Sequence, residues 1–152
     1  MSVLDNALQT LFKLGVEVKK LWENASSNSD FPAQTLPNQN DADFILTKFS
    51  IGIPSSPNYG YLLEEIVQTG EQGVLAAPIN FNNSNTQGTV HREISVNSAG
   101  ISFSSGYLKT SGAPQQDNGY AIPQEIYAIK LLGGVLHKLK ILTASVRKEV
   151  LA

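Results

Sequence analysis

The apolar positions from Leu4 onward are Leu4, Ala7, Leu11, Leu14, Val18 and Leu21, separated by steps of three, four, three, four and three. That spacing is a heptad repeat with Leu4, Leu11 and Val18 at a and Ala7, Leu14 and Leu21 at d; Leu8 and Trp22 fall beside the seam. The pattern predicts an α-helix over residues 1–24. Ser2 stands three residues before Asp5, the spacing of a capping box, and Lys19 and Lys20 suit the negative end of a helix. The apolar stripe is wider than a two-stranded coil needs and suits three or more helices, or a helix laid on a body. A helix this short is marginal alone in water. Leu4, Leu8, Leu11, Leu14, Val18, Leu21 and Trp22 are therefore the expected oligomerisation residues of a short coiled-coil stalk or anchor.

Beyond Asn24 the pattern changes. Residues 25–40 lack periodicity, hold Pro32 and Pro37, and are nearly uncharged, as a linker would be. Residues 41–152 read as a β-rich body. Phe44 to Ile51 alternates as a first strand, Tyr61 to Gln68 fits a strand or a helical turn or two, and Val74 to Phe81 follows a glycine-flanked turn. The clearest hairpin spans 89–107. Val90, Ile94 and Val96 share one face, His91, Glu93 and Ser95 share the other, and Asn97-Ser98-Ala99-Gly100 turns the chain. Pairing Val96 with Ile101 sets Ile94 opposite Phe103. Arg92 interrupts the apolar face, which predicts a face that is not wholly dry at that end. Thr110 to Gly119 is a polar loop, Pro123 belongs at a strand start or edge, and residues 135–152 fit strand and helix equally. The expected fold is mainly β, a jelly-roll-like antiparallel β-sandwich preceded by the N-terminal helix.

Charged residues make up 16% of the chain, below the usual quarter, and Ser, Asn, Gln, Thr and Gly take their place. This composition suits polar, uncharged β surfaces. The net charge of −2 argues against nucleic acid as a partner. The basic residues Lys130, Lys138, Lys140, Arg147 and Lys148 form a late cluster against Glu149. With no cysteine, thiol catalysis, thiolate metal sites and disulfides are excluded. No secretory leader pattern and no run of ~18–20 apolar residues occurs, so neither secretion nor membrane insertion is expected.

Candidate chemistry is sparse, and no catalytic residue, metal site or cofactor is expected. His91 and Glu93 share a strand face without further ligands, and Asp41-Ala42-Asp43 reads as a strand-entry turn. Ser145 and Lys148 match an S-x-x-K pattern whose companion motifs are missing. Glu64 and Glu65 are neighbours and face opposite ways on a strand. Tyr59 and Tyr61, beside a Pro/Gly loop, and Asp117 and Asn118 in the polar loop are the candidate ligand contacts, suited to a carbohydrate.

Glu93-Ile94-Ser95-Val96, then Gly100 to Tyr107, then Ala121-Ile122-Pro123-Gln124-Glu125-Ile126-Tyr127-Ala128-Ile129-Lys130-Leu131 resemble the C-terminal β-domains of tailed-bacteriophage structural proteins, of head-fibre, decoration or tail-fibre type. The resemblance covers under a third of the chain. It implies a virion component, homotrimeric, joined to capsid or tail proteins, with its β-body facing outward. The alternative, which rests on Tyr59, Tyr61 and the 110–119 loop, is a tail-associated receptor-binding protein that recognises a host cell-surface glycan. Residues 132–152 continue past the point where such domains commonly stop.

Overall fold

Ten strands of two to ten residues form among the described residues of the computed structural model, which are 2–3, 5–6, 15–38, 41–56, 59–81 and 87–132, several of them by alternation of apolar and polar positions. They are β1 (Val16–Glu23), β2 (Gln34–Pro37), β3 (Phe44–Ser50), β4 (Leu62–Gln68), β5 (Gln72–Asn80), β6 (Gln87–Val96), β7 (Gly100–Phe103), β8 (Tyr107–Lys109), β9 (Gln115–Gln116) and β10 (Ile122–Leu131). All pairings are antiparallel. The first sheet has the order β1-β10-β3-β4. In the second, β6 pairs with β5 along one edge and with β7 and then β8 along the other; β2 lies beyond β7 and β9 beyond β8.

The mainly β expectation holds, and the expected helix over 1–24 does not. Residues Val16–Glu23 are a strand running along β10, with Val16 opposite Leu131 and Val18 opposite Ile129. Gly15, at φ 95°, leaves the right-handed helical region and turns the chain into this strand. The heptad spacing misleads here because the register shifts between Lys20 and Trp22. This bulge inserts one residue, so the period-two alternation of Val16 and Val18 resumes late and places apolar side chains at steps of three and four. Val18 packs on an apolar cluster of the first sheet, and Leu21 and Trp22 pack on the main core. None of the three belongs to a coiled-coil seam. Leu4, Leu8, Leu11 and Leu14 lie outside the described residues, as do 135–152 and the basic cluster from Lys138 onward.

The segment read as a linker contributes to both sheet and core. Gln34–Pro37 pairs with β7, and Phe31 is buried, with Trp22 and Phe103 meeting its ring edge-on at 6.0 and 5.6 Å. The hairpin register agrees with the sequence: Val96 faces Ile101 and Ile94 faces Phe103. Of the stretch Tyr61 to Gln68, Leu62–Gln68 is strand, and Pro123 sits at the second residue of β10, next to a register shift.

The main core lies between the sheets. Ile45, Phe49, Ile122 and Ile126 from the first sheet meet Leu75, Val90, Ile94 and Ile101 from the second. Burying a side chain of this kind contributes about 1.5–3 kcal/mol. The first sheet carries a second, separate cluster of Val16, Leu46 and Ile129, with Val18, Phe44, Tyr127 and Leu131 packed against it.

Candidate functional site

Arg92 sits mid-strand on the inward face of β6 and is fully buried. The expectation of a partly wet face at this point is wrong, because backbone carbonyls take the place of water. Nε donates to Ala121 O at 2.8 Å, Nη1 to Ser104 O at 2.5 Å, and Nη2 to Tyr120 O at 3.1 Å and Asn118 O at 3.4 Å. Phe31 offers its ring face to the guanidinium at 5.1 Å. Burial presses the Arg92 pKa down to about 10, which leaves it charged at neutral pH.

The carbonyls held by Arg92 belong to the segment 118–121 and to the break between β7 and β8. Further bonds fix the same segment. Asp117 Oδ1 accepts from Gly119 N at 2.9 Å, Asn118 Oδ1 accepts from Gly106 N at 3.1 Å, and Asn118 O accepts from Phe31 N at 3.0 Å. The Asn118 carboxamide oxygen is therefore engaged by the backbone. Gly106 has no room for a side chain: a Cβ there would stand 2.5 Å from Asp117 O and 2.6 Å from Tyr120 O. Ala121 adopts φ 48°, held there by Ile51 O on its N–H and Arg92 on its carbonyl.

Against this fixed turn lies the loop after β3. Ser56 N donates to Ile53 O at 2.9 Å and Tyr59 N to Ser56 O at 3.1 Å, winding the loop tightly. Asp30, Ile53, Ser56, Tyr59, Asp117, Gly119 and Tyr120 line the cleft between them, about 290 Å³ in volume. The Tyr59 and Tyr120 rings meet edge to face with centroids 6.5 Å apart. Gly119 opens the space between the two carboxylates: a Cβ there would lie 3.2 Å from Asp117 Oδ1 and 3.3 Å from Asp30 Oδ1. Burial first, then the Asp117 carboxylate and Tyr59, push the Tyr120 hydroxyl up, so it keeps its proton and remains a donor. Two aromatic walls, two acceptor carboxylates and phenolic donors make a surface complementary to a polyhydroxylated ligand.

Of the candidate ligand contacts read from the sequence, Tyr59 and Asp117 line this cleft. Tyr61 does not join them; it is 68% exposed and outside the cleft lining. Sequence reasoning missed Asp30 and Tyr120. Tyr120 follows the Asp117-Asn118-Gly119 turn signal directly and was findable from it; Asp30 lies in a stretch without periodicity.

The other candidates find structural partners. His91 stacks on Tyr107 at 5.2 Å. Asp41 pairs with Lys130, and Asp43 Oδ2 accepts from Leu131 N at 2.8 Å. Glu64 reaches Lys48 at 3.5 Å, and burial raises the Glu65 carboxyl. Ser145 and Lys148 lie outside the described residues. Among the described residues no group of three or more His, Asp or Glu is placed to hold a metal ion, and no helix is long and apolar enough to cross a membrane. Comparison with protein-family models, with curated proteins and with solved structures finds no match.

Proposed function

We propose that the chain is a non-enzymatic structural protein of a phage particle, a capsid-decorating protein of head-fibre or cement type or a short fibre component. It assembles as a homotrimer and joins capsid or tail proteins in a virion built in the host cytoplasm. The observation that carries this reading is where the resembling residues fall. Residues 93–107 supply the last four residues of β6 with β7 and the start of β8, and 121–131 supply β10, so the resemblance lies on the strands that organise both sheets. First strands also pair with late ones, β1 with β10 and β2 with β7, the nesting of a jelly-roll-like sandwich; the β3–β4 hairpin departs from it. Peptides of this chain in purified particles, together with a trimeric mass by light scattering, would support the reading. A monomer found only in the particle-free lysate would contradict it.

The cleft favours a second reading, a tail-associated receptor-binding protein whose β-domain recognises a host cell-surface glycan. Tyr59 and Tyr120 would supply the ring contacts and Asp30 and Asp117 the hydroxyl acceptors. A glycan array separates the two. Binding that is lost in Tyr59→Ala and Tyr120→Ala but kept in Tyr61→Ala supports recognition at this cleft, and absence of binding to any host polysaccharide removes it.

A further inference from the structure

Asp30 also lines a second cleft, about 330 Å³ in volume, whose other walls include Trp22, Glu23, Asn24, Pro32 and Gln34. The two clefts thus meet at one side chain. Each alone is near the lower bound of about 300 Å³ for a small-molecule site, and joined they make a groove well inside the usual range.

The segment that carries Asp30 is fixed at three points. Asn24 N donates to Gln124 O and Asn24 Nδ2 to Pro123 O, both at 2.9 Å, which ties its start to β10. Asn28 Oδ1 accepts from Ser55 N at 3.0 Å, which ties its middle to the loop after β3. Phe31 N donates to Asn118 O at 3.0 Å, which ties its end to the turn held by Arg92. The wall shared by the clefts is therefore set before a ligand arrives, and little binding energy goes into ordering it.

Aromatic surface stands in both clefts. Tyr59 and Tyr120 line the first, and half-buried Trp22, edge-on to Phe31 at 6.0 Å, lines the second. Such rings offer apolar faces to the C–H faces of a sugar ring. Hydroxyl acceptors stand between them. Among the described residues no hydrogen bond or ion pair engages the Asp30 carboxylate or Asp117 Oδ2, and Gly119 N donates to Asp117 Oδ1. No lysine or arginine lines either cleft among the described residues. Glu23 is paired with Lys20 at 2.8 Å, and the buried Arg92 has its nitrogens on carbonyls. An acidic group entering the groove would meet like charge and no partner cation.

We propose that the two clefts form one groove for a linear oligosaccharide of at least two rings that carries no acidic group. Tyr59 and Tyr120 hold one ring, Trp22 holds the next, and Asp30 accepts hydroxyl groups where the two join. This assignment rests on the reading of the first cleft as a glycan site and adds to it the length and the charge class of the ligand.

Trp22 is the one tryptophan of the chain, so its emission reports on the second cleft without any substitution. The test screens the full chain on an array of neutral, uronate-bearing and sialate-bearing oligosaccharides, from single rings to longer chains, and then titrates the bound compounds while Trp22 emission is followed. Neutral chains of two or more rings are expected to shift the emission and to bind tighter than the matching single ring by roughly tenfold, the gain from one further ring contact and hydrogen bond. Binding that does not depend on length and leaves the emission unmoved would confine the sugar to the first cleft; it would overturn the groove and leave the glycan reading standing. Preference for the acid-bearing chains would overturn the charge class. Absence of binding across the array would remove the glycan reading and the groove with it. The exposed Gln34 supplies a second readout. Gln34→Ala is expected to weaken chains of two or more rings by roughly three- to tenfold and to leave single rings unaffected. An equal effect on both, or on neither, would overturn the assignment of the second ring to this cleft.

Discussion

β6 and β10 hold the same position in their sheets, ten residues long and hydrogen-bonded along both edges, yet they are built on different plans. β6 alternates buried and exposed positions, with Val90, Arg92, Ile94 and Val96 inward and Thr89, His91, Glu93 and Ser95 toward solvent. Its neighbour is broken at 104–106, and the inward Arg92 takes up carbonyls from the break and from the turn beyond it. β10 is unbroken, and both of its faces carry buried side chains, Ile122 and Ile126 toward the main core and Ile129 toward the second cluster. One sheet is organised around a buried cation and backbone polar groups, the other around apolar contact on two sides. The cleft forms where the polar plan surfaces, so its shape depends on Arg92.

The largest expected effect breaks the polar plan. Arg92→Leu removes the donor to four carbonyls, of which Asn118 O keeps the Phe31 N–H, at a cost of about 3–5 kcal/mol read from urea unfolding. Arg92→Lys recovers little of this, because an ammonium cannot span four acceptors on separate segments. Removing apolar contact from β10 tests the other plan. Ile126 is 0% exposed, and Ile126→Ala should cost about 2–4 kcal/mol without altering the cleft. Gly106→Ala forces a methyl group against Asp117 O and Tyr120 O, with an expected loss of about 1–3 kcal/mol and a shift in the Tyr120 ring resonances that Ile126→Ala does not produce.

How far each plan could be read from the sequence follows from the same difference. A strand with one wet face writes its register as alternation, and so the pairing of Val96 with Ile101 was readable. A sheet apolar on both faces adds hydrophobic positions that do not alternate. In β1 the bulge after Lys20 then moves Leu21 and Trp22 onto helical spacing, and the strand carries the pattern of a stalk. Phe31 and β2 were hidden for another reason: short strands flanked by prolines carry too few residues to show a period. Half of the cleft was visible because Tyr59 and Asp117 lie in loops with turn signals. Arg92 could be seen as a break in an apolar face, but its acceptors are carbonyls from other segments, which no side-chain pattern records. One practical consequence is that truncation at Asp41 removes β1, β2 and Phe31 and cannot isolate an intact body.

Smaller effects sharpen the comparison. Thr47, 0% exposed on the inward face of β3, has a buried hydroxyl without a partner, and Thr47→Val should stabilise by about 1 kcal/mol. Burial raises the Glu125 carboxyl, but the Tyr127 hydroxyl at 2.8 Å and the Lys20 ammonium overcome it and hold the group low. A carboxyl lowered by folding contributes stability that is complete above its unfolded value and is lost as pH falls through the folded one. Tyr127→Phe should therefore move the Glu125 titration upward, toward the ordinary carboxylate range, and soften the stability loss at acid pH, as followed by carboxyl resonances and unfolding midpoints.

The measurement that bears most directly on this account is the pattern of backbone Overhauser contacts over residues 16–23 in the full chain. Cross-strand contacts from Val18 to Ile129 and from Val16 to Leu131, with slow amide exchange along the ladder, are predicted for β1. Sequential contacts between residues three apart across 16–23, with none to β10, would contradict it and restore a helical stalk.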